Sequence, residues 1–273
     1  MSEPIRLVVS DVDGTLVDPD KKLRAATVAA VKRLEAAGVG FTIISARPRS
    51  GLGWLADELA IDAPIGAFNG GTVFGRDGAI DARFRVPAEV VNDVLAMAAD
   101  KPVAIWVFAD DRWYASSGEG THVEHERKAS SQEPEITQDF ARLADKVDKI
   151  TLVSDDAELL RGLLDRANAK HGEAATIAQS QTYYLDVTAS KANKGDGVET
   201  LAKAFGVPLS QVAVLGDQAN DLPMLRRAGL PIVMANAPDA VKEQVSVHTR
   251  SNADDGVAHA IDHIIMPRIG VPS

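Results

Sequence analysis

Cysteine is absent from this chain of 273 residues. Without thiols the protein can form no disulfide, no thiolate nucleophile and no cysteine-ligated zinc site. No apolar run reaches the length of a membrane span, and the N-terminal residues lack the charged-then-apolar pattern of a signal peptide. We therefore expect a cytoplasmic protein that has no membrane partner.

Positive charge is also scarce. Lys and Arg number 29 against 39 Asp and Glu, which gives a formal net charge of −10. This balance disfavours nucleic acid and anionic membranes as partners. It leaves a small phosphorylated metabolite open, since a small anion responds to the local site and to any bound metal. Hydrophobic residues make up 45% of the chain, which is ordinary for a globular protein with a sizeable core.

The most informative segment is LVVSDVDGTLVD at residues 7–18. An apolar strand ends in two carboxylates, Asp11 and Asp13, where α/β proteins place their chemistry. Two close carboxylates repel each other unless a cation lies between them or one is protonated. The spacing indicates a Mg²⁺ site, a nucleophile beside an acid/base, or both. A plain turn of Asp and Gly is the alternative, and the acidic repeat of an EF-hand loop is missing.

Strand and helix patterns alternate before and after a different central region. The first quarter indicates a βαβαβ order, which implies a parallel sheet. The central region indicates hairpins mixed with helices, as in an antiparallel α+β module. We therefore predict a core in two parts, 1–86 and 188–273, separated by an inserted domain at 87–187. Further element predictions are a helix at Arg49–Ala60, a loop at Ser117–Pro134 and a strand at Val247–Thr249.

Later segments place polar side chains where strands end or helices begin. Ser45 and Arg47 follow the second strand, where a hydroxyl and a guanidinium could bind a phosphoryl group; a serine that caps the next helix is the alternative. Lys194 lies at a helix start and opposes the macrodipole, so it calls for an acidic partner or a phosphate. Asp217 ends another buried strand and could complete an oxygen cage for Mg²⁺ with Asp11.

The order and spacing of these segments resemble the haloacid dehalogenase superfamily of phosphohydrolases. Its four motifs are matched by DVDGT, by Ser45, by Lys194-Gly195 and by GDQAND at 216–221. The elements Asn69-Gly70-Gly71, Met234-Ala-Asn-Ala and Ser251-Asn-x-x-Asp-Gly-Val resemble its Cof-type subfamily. The second motif departs slightly, because it often reads Thr-Gly-Arg. The resemblance covers nearly the whole chain and implies an α/β fold, with a Rossmann-like parallel-sheet core and an inserted α+β cap of the C2B type.

The resemblance also implies a role for each acidic residue that matches a motif. Asp11 would be the nucleophile that forms an aspartyl-phosphate, and Asp13 would be the general acid and base. Mg²⁺ would be held by Asp11, the backbone carbonyl of Asp13, and Asp217. Asp221 would support the water shell of the metal or orient Lys194.

The remaining matches concern the substrate. Ser45 and Lys194 would bind the phosphoryl oxygens, with Lys194 also paired to the nucleophile. Asn220 is expected to add a phosphate contact. Arg47 and Asn69 are expected to contact the substrate.

Three functions fit these observations. The first is a Mg²⁺-dependent phosphatase that acts on a small phosphorylated metabolite, such as a sugar phosphate or a phosphorylated cofactor. The second is a phosphomutase, which would return the phosphoryl group to its substrate. The third is a catalytically idle binding or regulatory protein on the same fold. The intact set of motif residues favours an enzyme that hydrolyses phosphoric monoesters.

Overall fold

A computed structural model describes residues 3–120 and 122–270. The outermost ends of the predicted domains, residues 1 and 273, therefore lie outside the described part. The chain forms two compact units. The first contains the residues up to Ala46, Gly53–Asp81 and the residues from Asn193 onward, and the second contains Arg47–Leu52 and Ala82–Ala192. The domain boundaries at 86/87 and 187/188 stay a prediction, and the sequence analysis does not anticipate the short piece Arg47–Leu52.

The strands are numbered along the described chain. They are β1 (Leu7–Ser10), β2 (Gly40–Ile43), β3 (Ile65–Ala67), β4 (Thr72–Phe74), β5 (Ile80–Arg83), β6 (Ala104–Ala109), β7 (Arg112–Ala115), β8 (Glu135–Ile136), β9 (Val147–Val153), β10 (Ala175–Gln181), β11 (Tyr184–Ala189), β12 (Val212–Gly216) and β13 (Leu230–Val233).

The α-helices are numbered in the same way. They are α1 (Ala25–Ala36), α2 (Gly53–Glu58), α3 (Ala88–Ala98), α4 (Val123–Ser130), α5 (Ala157–His171), α6 (Lys194–Ala204), α7 (Leu222–Leu225), α8 (Asp239–Lys242) and α9 (Gly256–His259). A π-helical turn, Ala260–Ile265, continues α9. Within the described residues, every helix is too short or too polar to cross a bilayer.

A parallel sheet of four strands, in the order β13-β12-β1-β2, is the centre of the first unit. Every residue of β1 and β12 is buried. Such uninterrupted apolar runs are typical of parallel strands that are covered on both faces. Since parallel strands end at the same edge, the residues that follow β1, β2 and β12 come together there.

A mixed sheet of six strands, in the order β10-β11-β9-β6-β7-β8, forms the second unit. Its neighbouring strands are antiparallel except for β7 and β8. Apolar residues of α3 and α5 belong to one buried cluster with one face of this sheet. The parallel core and the α+β second unit confirm the predicted fold class.

Two element predictions were wrong, and a third, the helix near Arg49–Ala60, was confirmed only in part. The segment predicted as a loop at 117–134 contains α4, whose buried positions are Val123, Glu126 and Ser130. Two of these three are polar, so the apolar spacing that signals a helix is missing. The helix predicted at Arg49–Ala60 is a 3₁₀ turn followed by α2, because glycines at 51 and 53 weaken a continuous helix. The strand predicted at Val247–Thr249 is only an isolated bridge at His248.

Candidate active site

Three buried carboxylates meet at the carboxyl edge of the first sheet. Asp11 follows β1, and its amide donates to the carbonyl of Leu215 on β12 at 2.9 Å. Asp217 follows β12 directly, and Asp221 ends the short 3₁₀ turn behind it. One oxygen from each of Asp11, Asp217 and Asp221 lies within 4.8 Å of the others. Among the described residues this is the group of carboxylates close enough to share one metal ion.

Lys194 bridges two of these acids. It is the first residue of α6, is 1% exposed, and donates from Nζ to Oδ1 of Asp11 and, at 2.5 Å, to Oδ1 of Asp221. The side chain of Asn193 caps the helix by accepting from the amide of Asp196 at 3.0 Å. The acidic partner that a lysine at a helix start requires is therefore present twice.

Burial dominates the electrostatics of the site. It raises the pKa of Asp11 well above its usual value, although Lys194 acts in the opposite direction. Burial also raises the pKa of Asp217, and the nearby Asp221 adds to this effect. For Lys194 burial would lower the pKa, but Asp11 and Asp221 outweigh it and leave the pKa raised. Three carboxylates against one ammonium leave a formal charge of −2, which one divalent cation would balance.

Asp217 and Asp221 differ in how their oxygens are used. Oδ1 of Asp221 accepts a hydrogen bond from Lys194 Nζ, and its Oδ2 accepts from the backbone amides of Asp217 and Gln218, both at 2.8 Å. Asp217 instead accepts from the hydroxyl of Thr15 and from the side-chain amide of Gln218, each at 3.0 Å. The contacts of Asp221 favour the alternative in which it orients Lys194.

Asp13 is placed differently from the buried acids. Its side chain is 37% exposed and lies outside the carboxylate group, and it pairs with Lys21 Nζ at 2.7 Å. Lys21 has a left-handed backbone (φ 63°), and its amide donates to the carbonyl of Asp18 at 2.9 Å. A tight turn after the first motif therefore brings a lysine to the proposed acid/base.

The predicted phosphate and substrate residues fall into two places. Ser45 is buried beyond β2, and its carbonyl accepts from the amide of Asn69 at 2.7 Å. Asn220 donates to the side-chain oxygen of Asn69 at 3.3 Å, so these three residues are linked. Arg47 belongs to the second unit, where Nη1 donates to the carbonyl of Gly51 at 3.3 Å.

Several residues of the site were missed by sequence reasoning. Besides Lys21, they include Thr15 and Gln218, which hold Asp217, and Asn236. The side chain of Asn236 donates to the carbonyl of Gly14 at 2.8 Å and to Asp217 at 3.4 Å. A signal for Asn236 was available, because it lies in the Met-Ala-Asn-Ala element that resembles the Cof-type subfamily.

Comparison with known proteins decides the family. The model of the haloacid dehalogenase-like hydrolase family matches residues 8–261. The chain belongs to this family. The resemblance seen in the sequence is thus confirmed, as is the expectation of a haloacid dehalogenase-like phosphatase, a hydrolase of phosphoric monoesters.

Two haloacid dehalogenase-like structures and one curated relative are similar to this chain along almost their whole length. The 5-amino-6-(5-phospho-D-ribitylamino)uracil phosphatase YwtE of Bacillus subtilis is 28% identical over 283 residues, covering 96% of this chain and 98% of the relative. A haloacid dehalogenase-like hydrolase from Bacteroides thetaiotaomicron is 26% identical with a TM-score of 0.87, covering 95% of this chain and 99% of that one. The subclass IIB sugar phosphatase BT4131 has a TM-score of 0.81 at 23% identity, covering 94% of this chain and 98% of that one.

Proposed function

We propose that this protein is a Mg²⁺-dependent phosphatase of a small phosphorylated metabolite, and that it works through an aspartyl-phosphate on Asp11. The observation that carries the proposal is the buried group of Asp11, Asp217 and Asp221 with Lys194 between two of its members. A carboxylate, a fixed cation and a site for a divalent ion are the parts that phosphoryl transfer requires, because the transition state carries charge on its oxygens.

The donor set fits Mg²⁺. Carboxylate oxygens suit a hard cation, and the carboxylate group contains no histidine. Asp11, Asp217 and the backbone carbonyl of Asp13 would hold the ion, and Asp221 would keep Lys194 in place. When bound, Mg²⁺ would reduce the repulsion between the nucleophile and the phosphate and would draw charge from the transferring group.

The residues would act in two steps. A carboxylate oxygen of Asp11 attacks phosphorus, the ester P–O bond breaks, and Asp13 gives its proton to the leaving alcohol. Asp13 then takes a proton from water as that water attacks the phosphorus of the aspartyl-phosphate. The bond to Asp11 breaks, inorganic phosphate leaves, and both acids return to their first state. Ser45, Lys194 and Asn220 would hold the phosphoryl oxygens, with Asn69 and Arg47 as substrate contacts.

Two observations support a small metabolite as the substrate. The net charge of −10 disfavours nucleic acid. The similar proteins include a phosphatase named for a phosphoribityl aminouracil and one named a sugar phosphatase. We infer that the leaving group of the substrate here is likewise a sugar or a small cofactor precursor.

Hydrolysis of p-nitrophenyl phosphate with Mg²⁺ tests the proposal. We expect turnover by the native protein, a drop in kcat of at least about 10³-fold in Asp11→Asn, and no change in Asp165→Asn, which alters an exposed carboxylate of α5. Acid quenching with ³²P-labelled substrate should trap a phosphoprotein only when Asp11 is present. Full turnover by Asp11→Asn would refute the mechanism, and absence of turnover in the native, folded protein would refute the function.

A further inference from the structure

The segment Arg47–Leu52 follows the proposed phosphate-binding Ser45 but belongs to the second unit. The chain leaves the first unit after Ala46 and returns to it at Gly53. The residues just beyond the second motif are therefore placed by a different part of the protein from the motif itself. This arrangement raises the question of what holds the segment.

Polar contacts fix the segment to the end of α4 and to the turn between β6 and β7. Ser50 donates from its hydroxyl to the carbonyl of Ser130 at 2.5 Å, and it accepts from Gln132 at 2.8 Å. Arg49 donates to the carboxylate of Asp111 at 3.1 Å. The same Gln132 also donates to the carbonyl of Asp111 at 3.1 Å, so the contacts form one network.

Close packing accompanies these hydrogen bonds. A Cβ added to Gly51 would lie 2.1 Å from the carbonyl oxygen of Ala129, so only glycine allows the segment to approach α4 this closely. A Cβ added to Gly53, two residues later, would meet nothing within 4 Å. The close packing is thus found at Gly51, inside the segment, and not at Gly53, where the first unit resumes.

The turn that receives Arg49 has an unusual composition. Asp110 and Asp111 have left-handed φ values of 47° and 64°, a conformation that two-residue hairpin turns usually give to Asn-Gly or Asp-Gly, so Asp111 occupies the position that normally holds glycine. Within the second unit, Asp110 pairs with Arg85 at 2.6 Å, and Asp111 pairs with Arg49 at 3.1 Å and with Arg83 at 3.6 Å. Backbone strain of this kind is kept where the surroundings impose it, often at functional positions.

We propose that Arg49 and Asp111 are positioning residues for the phosphate-binding loop. They would hold the segment that begins with Arg47, the proposed substrate contact, in one conformation. Arg47 shares this restraint, because its Nη1 donates to the carbonyl of Gly51 at 3.3 Å within the same segment. This inference rests on the proposed function, since that function gives Arg47 its contact with the phosphorylated substrate.

Hydrogen exchange tests the anchor without any turnover. The amides of Gly51 and Leu52 donate to the carbonyls of Pro48 and Arg49, so they report on the segment. We expect them to exchange at least about fivefold faster in Gly51→Ala than in Gly53→Ala. Asp111→Asn should show a smaller acceleration and Asp110→Asn none, since Asn tolerates the left-handed turn in both. The proposed anchor would be refuted by equal exchange rates in Gly51→Ala and Gly53→Ala together with equal rates in Asp111→Asn and Asp110→Asn.

Binding of inorganic phosphate, measured calorimetrically with Mg²⁺ present, tests the positioning. The dissociation constant should rise about three- to tenfold in Gly51→Ala and in Asp111→Asn, and it should stay unchanged in Gly53→Ala and Asp110→Asn. For p-nitrophenyl phosphate the same change should fall on KM rather than on kcat.

Arg49 supplies the rescue experiment. Arg49→Gln should weaken phosphate binding as Asp111→Asn does, and Arg49→Lys should restore most of it, because the cation is retained. The positioning role would be refuted if Gly51→Ala and Arg49→Gln accelerated amide exchange in the segment but left the dissociation constant of phosphate unchanged. That result would leave the phosphatase proposal intact, since the latter depends on Asp11.

Discussion

Lys194 links the charge balance of the site to the stability of the first unit. Its ammonium lies between the buried carboxylates of Asp11 and Asp221, which have side chains 6% and 0% exposed. Removal of one partner from a buried ion pair leaves uncompensated charge, which costs far more than the pair gains. The lysine proposed to bind substrate therefore also supports the fold.

We predict that Lys194→Met lowers the free energy of unfolding by about 3 kcal/mol or more, measured by urea denaturation without metal. Added Mg²⁺ should recover part of this loss, because the ion would replace the missing positive charge. Lys191→Met removes an exposed lysine three residues earlier, whose Nζ lies 5.5 Å from the centre of the Phe84 ring, and should change stability by less than about 1 kcal/mol. Equal effects of the two substitutions would contradict this account of Lys194.

The residue positions that sequence could predict are those fixed by strand ends. Asp11 and Asp217 each follow a buried apolar strand, and residues after parallel strands share one edge of a sheet, although the direct pairing of β1 with β12 is seen only in the structure. Thr15 and Gln218 could not be found in this way, because their hydrogen bonds to Asp217 depend on how two tight turns fold. Arg47 shows the same limit, since its place in the second unit is set by contacts distant in sequence.

At the scale of elements, α6 is the helix that brings Lys194 to the acids. Its glycine at 197 approaches the turn after β3 so closely that an added Cβ would lie 2.8 Å from Gly70 Cα and 2.5 Å from Ile44 Cδ1. Neither Gly70 nor Ile44 Cδ1 can yield cheaply, because one is backbone and the other is buried. The start of α6 is thus fixed by close packing.

We predict opposite effects for two helix glycines. Gly162 lies inside α5 with nothing within 4 Å of an added Cβ, so Gly162→Ala should stabilise the protein by about 0.5–1 kcal/mol through helix propensity. Gly197→Ala should destabilise it by about 1–3 kcal/mol, because the added methyl group overpacks the contact. Thermal unfolding of the two variants gives the comparison, and stabilisation by both would show that α6 can shift freely.

The elements also show where apolar patterns succeed and fail. The strands of the parallel core were predicted because their buried runs are almost entirely apolar, with Ser10 and Thr42 as buried polar exceptions. Helix α4 was missed because Glu126 and Ser130 occupy two of its buried positions, so no apolar period marks it. The hydroxyl of Ser130 donates to the carbonyl of Glu126 within the helix at 2.7 Å, so this polar side chain is satisfied while buried, which sequence spacing does not reveal.

For the whole molecule, metal binding should appear as added stability. A ligand that binds only the folded protein stabilises it by mass action, by about 2.7 kcal/mol at a concentration of 100 Kd. We predict that Mg²⁺ raises the melting temperature, that EDTA reverses the increase, and that Asp217→Asn abolishes most of it. Asp165→Asn, which changes an exposed acid of α5, should keep the full increase. A Mg²⁺ response in Asp217→Asn equal to that of the native protein would exclude Asp217 as a ligand.

The division of the chain into two units has a consequence for recombination. Because the second unit is built from Arg47–Leu52 as well as Ala82–Ala192, no single contiguous fragment encodes it. A chimaera that takes only the long insert from a relative would pair a foreign α4 with the native segment at 47–52. Exchange of both pieces together would preserve the fit between Gly51 and Ala129. The second unit should therefore be transferable between relatives only as a two-part module.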